Sequence, residues 1–321
     1  MKKDVILVTG ANGQIGSVLT EKLRSIYGHG MVLATDIREF GEMNGPFEIL
    51  DILDKARLYA LINKYKVTQI YHLAAILSAT GELKPTLAWQ INMDGLFNVL
   101  EAARELNISK VFYPSSIAVF GKQTPRQNTP QYTILHPSSV YGISKAAGEN
   151  WCQYYFEKYK IDIRSIRYPG IISYQSDPGG GTTDYAVEVF HYAIKGLTYK
   201  CFLKADTRLP MIYMDDAIRA TMELMDAPAE NISVRTSYNL ASMSFTPEEI
   251  SNAIKQIIPD FQISYEPDFR QAIAESWAES VDDAYAQKDW AWKPAFNLED
   301  MTKDMVINLK KKEREAVKIE D

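Results

Sequence analysis

The stretch VILVTGANGQIGSVL, residues Val5–Leu19, decides the fold of this chain. Its first part, VILV, has the length and branching of a short buried strand, and residues Ile15–Tyr27 have the spacing of a helix. Between them lie Gly10, Gly13 and Gly16, three residues apart. Glycines at a strand–helix junction permit a tight turn, close approach of a phosphate, and close packing of helix on strand. The stretch therefore predicts a phosphate-binding turn at the start of an α/β fold.

The same alternation of apolar runs and helical spacing continues outward from this turn. It predicts a helix at Lys55–Tyr65 and strands at Met31–Asp36, Gln69–Ala75, Lys110–Ser116 and Ile161–Gly170. Strands that are apolar on both faces and separated by helices indicate βαβ units and a parallel sheet covered on both sides. With right-handed crossovers, the prediction is a Rossmann-type doubly wound α/β fold.

An acidic residue indicates which ligand the glycine turn binds. Asp36 ends the second predicted strand, twenty residues after Gly16. A carboxylate there accepts hydrogen bonds from both hydroxyls of an adenosine ribose and repels a 2′-phosphate, so it favours NAD as cofactor. Arg38 can pair with such a phosphate, which leaves NADP as an alternative. A helix cap or an ordinary loop carboxylate is the structural alternative for Asp36.

The alternation stops near Ser173, where the loop-like stretch SDPGGGTTDY begins. Shorter, mixed elements follow, with one helix start at TPEE, in which Thr246 caps, Pro247 opens the helix and Glu249 completes a capping box. We therefore predict an NAD-binding domain over residues 1–173. A smaller α/β substrate lobe is predicted over residues 174–321, with some segments returning to the main sheet.

Four polar residues beyond the glycine turn indicate chemistry. Ser115 and Ser116 end a predicted buried strand, where α/β sheets place their ligands. Tyr141 and Lys145 are four apart in SVYGISKAAGEN and so share one face of a helix. A lysine ammonium beside a phenol favours the phenolate, which predicts that Tyr141 has a pKa lowered toward neutrality and acts as a base.

Composition narrows the classes of partner. The net charge of −6 argues against nucleic acid and anionic membranes, and no apolar run reaches transmembrane length. Cys152 and Cys201 lie far apart without a histidine cluster, which predicts no disulfide, no metal site and a reducing compartment. Of the four scattered histidines, His72 is expected in the core. A strand that follows so closely on the first residues leaves no room for a targeting peptide, so a cytoplasmic location is expected.

Six motifs together resemble the extended short-chain dehydrogenase/reductase family: TGANGQIG, HLAA, INMDGLFNVLEAA, YPSSIAVFG, YGISK and RYPG. The resemblance implies an NAD-dependent enzyme in which Tyr141 is the general base, Lys145 tunes it and binds the nicotinamide ribose, and Ser116 positions the substrate oxygen. Ser115 would be a structural neighbour. The cofactor contacts implied are Gly10, Asn12, Gly13, Gln14, Ile15, Gly16, Asp36, Ile37, Arg38, Asp51, Ile52, Leu73, Ala74, Ala75, Asn92, Tyr141, Lys145 and Tyr168.

The substrate prediction depends on a second glycine cluster, DPGGGTTD. Its residues suit a small zwitterion, with Asp184 for an ammonium and Thr182 or Thr183 for a carboxylate or hydroxyl. Capping of a helix near Tyr185 is an equal alternative. This stretch, with LPMIYMDDAIRAT and SWAESVDDAYAQKDWAWKP, resembles the family members that oxidise L-threonine at its 3-hydroxyl. That likeness implies that substrate is bound by Ser78, Tyr141, Thr182 and Asp184, whereas Asp215, Asp216 and Trp277–Trp292 are structural.

Alternatives and partners remain open at this point. The implied product, 2-amino-3-oxobutanoate, can lose CO₂ or be split with coenzyme A by a partner ligase. A nucleotide-sugar 4-epimerase or dehydratase would share the fold and the Tyr–Lys pair, and an NAD-sensing binding protein would share the glycine turn alone. Gly179–Gly181 are predicted to hinge a lid over the substrate. Apolar stripes at Leu96–Leu100–Ala103 and Trp151–Tyr155–Tyr159 predict a homodimer, with packing inside the monomer as the alternative.

Overall fold

The computed structural model of the chain describes residues 4–39, 44–176, 179 and 181–320, with backbone alone from 316 onward. Its strands are β1 (Ile6–Thr9), β2 (Val32–Asp36), β3 (Phe47–Ile49), β4 (Gln69–His72), β5 (Lys110–Ser116), β6 (Asp162–Tyr168), β7 (Gly170–Ile172), β8 (Tyr199–Cys201), β9 (Leu209–Tyr213), β10 (Tyr238–Asn239), β11 (Met243–Phe245) and β12 (Ile263–Tyr265).

Helices connect these strands. They are α1 (Gln14–Tyr27), α2 (Lys55–Tyr65), α3 (Ser78–Leu83), α4 (Pro85–Trp89), α5 (Gly95–Glu105), α6 (Val140–Tyr159), α7 (Tyr185–Ile194), α8 (Met214–Asp226), α9 (Pro247–Lys255), α10 (Arg270–Ala274), α11 (Ala284–Trp290) and α12 (Leu298–Glu320). A π-helical turn at Gln90–Asp94 joins α4 to α5, and 3₁₀ turns lie at His29–Met31, Ile117–Val119 and Ala229–Asn231.

The main sheet has seven strands in the order β10–β6–β5–β4–β1–β2–β3, and every neighbouring pair is parallel. The predicted doubly wound α/β fold is confirmed. Strand β1 lies between β2 and β4. After β1 the chain adds β2 and β3 on one side of it and then β4, β5 and β6 on the other side. Such a reversal of strand order opens a crevice at the carboxyl ends of the strands, which is where ligands bind in these sheets.

Both faces of the sheet are buried, which explains its uninterrupted apolar strands. In β1, Ile6 and Val8 pack with Leu19 and Leu23 of α1 on one face. Leu7 points to the other face and packs with helix α2. The alternation along one strand therefore anchors helices on both sides of the sheet.

Two predicted strands end earlier than expected. The strand predicted over Gln69–Ala75 stops at His72, although Leu73 still donates its N–H to the Thr9 carbonyl at 3.0 Å. The strand predicted over Ile161–Gly170 is divided at Pro169 into β6 and β7, because proline has no N–H to donate to a ladder. β7 joins a second sheet of order β11–β9–β7. The short strand β3 was not predicted.

The C-terminal part of the chain contributes to the main sheet and to the smaller sheets. β10 extends the main sheet next to β6, whereas β12 and β8 form a separate two-stranded sheet. The predicted capping box at the start of α9 is confirmed, with Thr246 Oγ1 accepting from the Glu249 N–H at 3.2 Å and Glu249 accepting in return. The division at residue 173 stays a prediction. No helix within the described residues is long and apolar enough to cross a membrane.

Candidate active site

The glycine turn between β1 and α1 is built by close backbone contacts. Gly10 has φ +68°, and a Cβ there would lie 2.7 Å from the Ala74 nitrogen. A Cβ at Gly16 would lie 2.2 Å from the Gly10 carbonyl oxygen, so α1 rests directly on the turn. Helix α1 begins after Gly13 without a side-chain cap. Its first N–H groups are therefore available to an anion such as a pyrophosphate.

Asp36 ties the glycine turn to the end of β2. Its carboxylate accepts from the Asn12 N–H at 3.1 Å and from the Arg38 N–H at 3.3 Å, and the Asn12 amide donates to the Arg38 carbonyl at 2.7 Å. Asp36 is the last residue of β2 and caps no helix in the described part of the chain. Ile37 beside it exposes its apolar side chain. A carboxylate and an apolar surface thus lie together where an adenosine would bind.

The remaining predicted cofactor residues continue along the carboxyl edge of the sheet. Asp51 accepts from the Leu53 N–H at 2.9 Å, and Ile52 is buried against Gly95, where a Cβ would lie 2.9 Å from Ile52 Cγ2. Leu73 and Ala75 line the cleft described below. Leu73 and Ala75 therefore lie at the cleft, whereas Asp51 and Ile52 lie outside its lining.

Ser116, Tyr141 and Lys145 are brought together by the packing of α6 on β5. Ser139 caps α6 by accepting from the Gly142 N–H at 3.1 Å. A Cβ at Gly142 would lie 2.1 Å from the Ala118 carbonyl oxygen, so the start of α6 lies against the turn that follows Ser116. Tyr141 and Ser116 line the same cleft, and the Ser116 side chain is near enough to lower the pKa of the phenol slightly. One helical turn on, the Lys145 ammonium lies 5.5 Å from the centroid of the Tyr141 ring.

Burial governs the protonation of this pair. It raises the pKa of Tyr141 to about 12, against a smaller lowering by the Ser116 side chain. Burial also lowers the pKa of Lys145 to about 8, with smaller opposing contributions from Cys152 and Glu149. The prediction that Lys145 draws the pKa of Tyr141 toward neutrality is therefore wrong for the protein by itself. Burial removes the water that would solvate the phenolate, and this is the largest influence on the pKa of Tyr141.

Lys145 has fixed partners of its own. Its Nζ donates to the Pro114 carbonyl at 2.7 Å and lies 4.7 Å from the centroid of the Tyr113 ring. His72 is buried near this ammonium, which together with burial lowers its pKa to about 3. Its Nδ1 lies 2.9 Å from Thr9 Oγ1. His72 is thus a neutral core residue, as predicted.

Asn92 and Tyr168 reach the Tyr–Lys pair indirectly. The Asn92 amide bonds both backbone groups of Ile76, at 2.8 and 3.1 Å, and donates to Ser144 Oγ at 3.1 Å. Ser144 in turn donates to the Tyr141 carbonyl at 2.7 Å. Asn92 therefore connects the segment after β4 to the start of α6. The Tyr168 hydroxyl is bonded to Thr221 of α8.

The predicted substrate residues also line the cleft described below. Thr182 is buried, and its Oγ1 has no hydrogen-bond partner among the described residues. Asp184 accepts from the Gly181 N–H at 2.8 Å and makes no side-chain cap on α7, so the capping alternative is wrong for this side chain. Ser78 begins α3 and is buried. Gly180 of the predicted hinge lies outside the described residues.

A single cleft of about 220 Å³ collects most of these side chains. The predicted residues that line it are Gly10, Gly13, Gln14, Ile15, Gly16, Leu73, Ala75, Ser78, Ser116, Tyr141, Lys145, Tyr168, Thr182 and Asp184. Those that lie outside its lining are Asn12, Asp36, Ile37, Arg38, Asp51, Ile52, Ala74 and Asn92. In the described parts of the chain, no group of three or more histidine, cysteine, aspartate or glutamate side chains is arranged to hold a metal.

Trp277 was assigned only a structural role from the sequence, yet it lines this cleft. It follows α10, far from Tyr141 in the chain, and no local pattern indicates its position. Asp216 does have a structural role, but not as a helix cap. Its carboxylate accepts from the backbone N–H groups of Ala295 and Phe296 and pairs with Arg219 at 2.7 Å.

A buried network behind the cleft was also missed. Glu149, one turn after Lys145, accepts from Ser115 Oγ at 2.5 Å and pairs with Arg167 of β6 at 2.7 Å. Arg167 also donates to the Asn239 amide oxygen of β10 at 3.0 Å. The network joins α6 to the strands that carry Ser116 and Tyr168. Its members lie on separate elements, so their partnership is visible only in the folded chain.

Comparison with known proteins agrees with this geometry. The model of the NAD dependent epimerase/dehydratase family matches residues 6–241. An uncharacterized epimerase/dehydratase of Staphylococcus saprophyticus is 49% identical over 99% of this chain and 100% of its own length. A solved partial consensus L-threonine 3-dehydrogenase superposes with a TM-score of 0.95 at 54% identity, over 96% of this chain and 99% of that one. The holo form of an L-threonine dehydrogenase from Cupriavidus necator has a TM-score of 0.94 at 53% identity, over 95% and 99%.

The described residues fit a dinucleotide. A Cβ at Gly10 or Gly16 would fill the turn, α1 presents uncapped N–H groups, and the Asp36 carboxylate stands at the end of β2. These features match the group that the family binds. The chain belongs to the NAD dependent epimerase/dehydratase family and is an enzyme of that family with NAD as its cofactor.

Proposed function

We propose that this enzyme is an L-threonine 3-dehydrogenase, which oxidises the 3-hydroxyl of L-threonine to give 2-amino-3-oxobutanoate. The observation that carries the proposal is the composition of the cleft. Ser116 and Tyr141 line the same cleft as Thr182 and Asp184. A proton acceptor for an alcohol therefore lies beside groups suited to an amino acid. The similarity to L-threonine dehydrogenases at about half identity supports the same substrate.

Each residue of the Ser–Tyr–Lys group has a distinct part in this proposal. Ser116 holds the substrate hydroxyl by a hydrogen bond, and Tyr141 accepts the hydroxyl proton. Lys145 keeps a positive charge beside the phenol and is held in place by the Pro114 carbonyl. Since burial keeps the phenol protonated in the protein by itself, additional positive charge at the cleft must lower the pKa of Tyr141 before it acts as a base.

The reaction needs no reactant besides the substrate and NAD⁺. The O–H proton passes to the Tyr141 phenolate, the Cβ–H bond breaks, and the Cβ–O bond becomes a carbonyl. When bound, NAD⁺ would supply the acceptor for the hydride from Cβ and the positive charge of its nicotinamide ring. Trp277, Thr182 and the apolar residues around them exclude water from the reacting atoms.

The charges of the cleft distinguish this substrate from a nucleotide sugar. Lys145 is the one cation among the described residues of the lining. Its ammonium already donates to the Pro114 carbonyl and lies over the Tyr113 ring. A nucleotide sugar carries a pyrophosphate of its own and needs basic groups in addition to those that bind the cofactor. A small zwitterion needs a carboxylate partner for its ammonium, which Asp184 provides. This balance favours an amino acid.

The test is formation of NADH from NAD⁺ with L-threonine, compared with L-serine, L-allo-threonine and UDP-glucose. We expect L-threonine to give the highest kcat/KM. Tyr141→Phe should lower kcat at least 100-fold because the proton acceptor is lost. Tyr132→Phe, a matched change at an exposed site, should leave the rate unchanged. Conversion of UDP-glucose with no threonine oxidation would refute the substrate and leave the family assignment intact.

We also propose a cytoplasmic homodimer. The stripe Leu96–Leu100–Ala103 is buried in the core of the monomer and so does not support an interface. Helix α6, however, exposes Trp151, Tyr154 and Tyr159 as a cluster of edge-to-face rings. Such a surface suits pairing with a second copy. A sedimentation experiment that finds only monomer at micromolar concentration would refute the homodimer.

A further inference from the structure

Trp277 occupies a fixed position beside the start of α6. The preceding residue, Ser276, has its Oγ 3.1 Å from Ser138 Oγ, just before the capping residue of α6. The backbone of Ser280 accepts from the Thr129 N–H at 2.9 Å, in the loop that leads to α6. The segment that carries Trp277 is therefore held against the part of the chain that positions Tyr141.

The surroundings of Trp277 place it on the substrate side of the cleft. It belongs to the apolar cluster that contains Ile117 and Tyr185, and Tyr141 packs against the same cluster. The strand β1 and helix α1, which carry the glycine turn, pack in a different cluster. Trp277 thus packs with residues that follow Ser116 and Thr182 in the chain, and not in the cluster that contains β1 and α1.

Two side chains in this cleft have polar atoms without partners. Trp277 is 4% exposed and its Nε1 has no acceptor among the described residues, and Thr182 is 1% exposed with an unpartnered Oγ1. A buried donor that is left unpaired destabilises a fold by about 1–3 kcal/mol, so a ligand that accepts from it gains affinity. Both atoms are in side chains that line one cavity. A single ligand group with two acceptor lone pairs could satisfy them together.

We propose that Trp277 Nε1–H and the Thr182 hydroxyl donate hydrogen bonds to the α-carboxylate of the substrate. This inference rests on the proposed function and names Trp277 as a residue that determines specificity. The three polar groups of a 2-amino-3-hydroxy acid are then assigned in turn. The hydroxyl faces Ser116 and Tyr141, the ammonium faces Asp184, and the carboxylate faces Trp277 and Thr182.

Uncharged donors suit this role in the cleft. A hydrogen bond to a charged carboxylate is stronger than one between neutral groups, and the indole N–H donates without bringing a second cation close to Lys145. A substrate analogue with a hydroxyl in place of the carboxylate offers these donors one uncharged oxygen instead of two charged ones. A site that hydrogen-bonds a buried group of its substrate strongly rejects analogues that lack this group. The enzyme should therefore prefer an amino acid to the corresponding amino alcohol.

The experiment compares L-threonine with L-threoninol, in which a hydroxymethyl group replaces the carboxylate. In Trp277→Phe the ring remains and the N–H is lost. We expect KM for L-threonine to rise roughly 10- to 100-fold, the range for one hydrogen bond to a charged group, with kcat changed less than threefold. The preference for L-threonine over L-threoninol should fall by the same factor. The affinity for NADH should not change, because the dinucleotide turn lies elsewhere.

Trp290→Phe is the matched control. Trp290 also has a buried Nε1 without a partner among the described residues, but it packs on Tyr238, outside the cleft lining. This variant should keep the wild-type preference. Thr182→Val removes the second donor at nearly constant volume and should lower the preference in the same direction. It keeps the inference testable if Trp277→Phe does not fold.

Binding to the NADH complex separates this inference from the proposed function, because it requires no turnover. Calorimetry should show that the wild-type complex binds L-threonine more tightly than L-threoninol and that Trp277→Phe loses this difference. If L-threonine is bound in this way but not oxidised, the proposed function fails and the role of Trp277 stands. If Trp277→Phe and Thr182→Val keep the wild-type preference, or if the wild type has none, the inference is overturned.

Discussion

Gly142→Ala should separate the Tyr141 phenol from Ser116 without changing either side chain. A Cβ at Gly142 would lie 2.1 Å from the Ala118 carbonyl oxygen and 2.8 Å from Pro137 Cβ. Ordinary contact begins near 3.4 Å, so the start of α6 must move by about 1.3 Å. A displacement of about 1 Å at reacting groups can lower the rate about 100-fold. Overpacking of this kind lowers the free energy of unfolding by about 1–3 kcal/mol.

The assay is steady-state NADH formation with L-threonine, together with thermal unfolding and NADH affinity. We expect kcat of Gly142→Ala to fall about 100-fold with an unchanged affinity for NADH, because the turn between β1 and α1 is untouched. Gly30→Ala is the matched control, since a Cβ at Gly30 meets no atom within 4 Å. A Gly142→Ala enzyme with a rate within threefold of wild type and an unchanged melting temperature would refute the reasoning.

Three further predictions concern charges near the site. Burial lowers the pKa of Lys145 to about 8, so the unfolded chain binds this proton more tightly and the free energy of unfolding should rise between about pH 8 and pH 10.5, by at most roughly 3 kcal/mol. Lys145→Met should abolish that rise in denaturant titrations. Glu149→Gln breaks a buried pair with Arg167 and should lower the free energy of unfolding by about 3–5 kcal/mol, whereas Glu275→Gln at an exposed pair should leave the melting temperature unchanged. Asp36→Asn removes the carboxylate that repels a 2′-phosphate, and kcat/KM with NADP relative to NAD should rise roughly tenfold.

Each of these has a result that would contradict it. Equal pH dependence of unfolding in wild type and Lys145→Met would show that the buried ammonium does not carry the effect. Equal losses of stability in Glu149→Gln and Glu275→Gln would show that burial of the first pair is not decisive. An unchanged NADP to NAD ratio in Asp36→Asn would assign the choice of cofactor to another residue.

Much of the fold and of the cofactor site follows from local patterns. The turn at Gly10–Gly16, the helix Lys55–Tyr65 and the strand Lys110–Ser116 are set by residue spacing that acts over one or two helical turns. Residue spacing of this kind could not show that Trp277, interpreted from the sequence as structural, lines the cleft. Its approach to Tyr141 depends on contacts between the chain after α10 and the loop before α6, which leave no mark on local spacing.

The protonation of Tyr141 shows the same limit. Four residues separate it from Lys145, and this spacing correctly places both on one face of α6. The direction of the pKa shift depends on how much water the fold removes from the phenol, and burial raises the pKa of Tyr141. Sequence spacing reports which groups are neighbours but not the solvation of each.

By itself, the sequence predicted the alternation of strands and helices in the main sheet and the glycine turn followed by Asp36, and it indicated Ser116, Tyr141 and Lys145 as candidate site residues. These depend on backbone geometry and side-chain periodicity, which are properties of short segments. Only the tertiary structure decided that Thr182 and Trp277 share a cleft with Tyr141, that Glu149 is paired with Arg167, and that burial raises the pKa of Tyr141. Those facts arise from contacts between distant segments and from the exclusion of water, which exist only once the chain has folded.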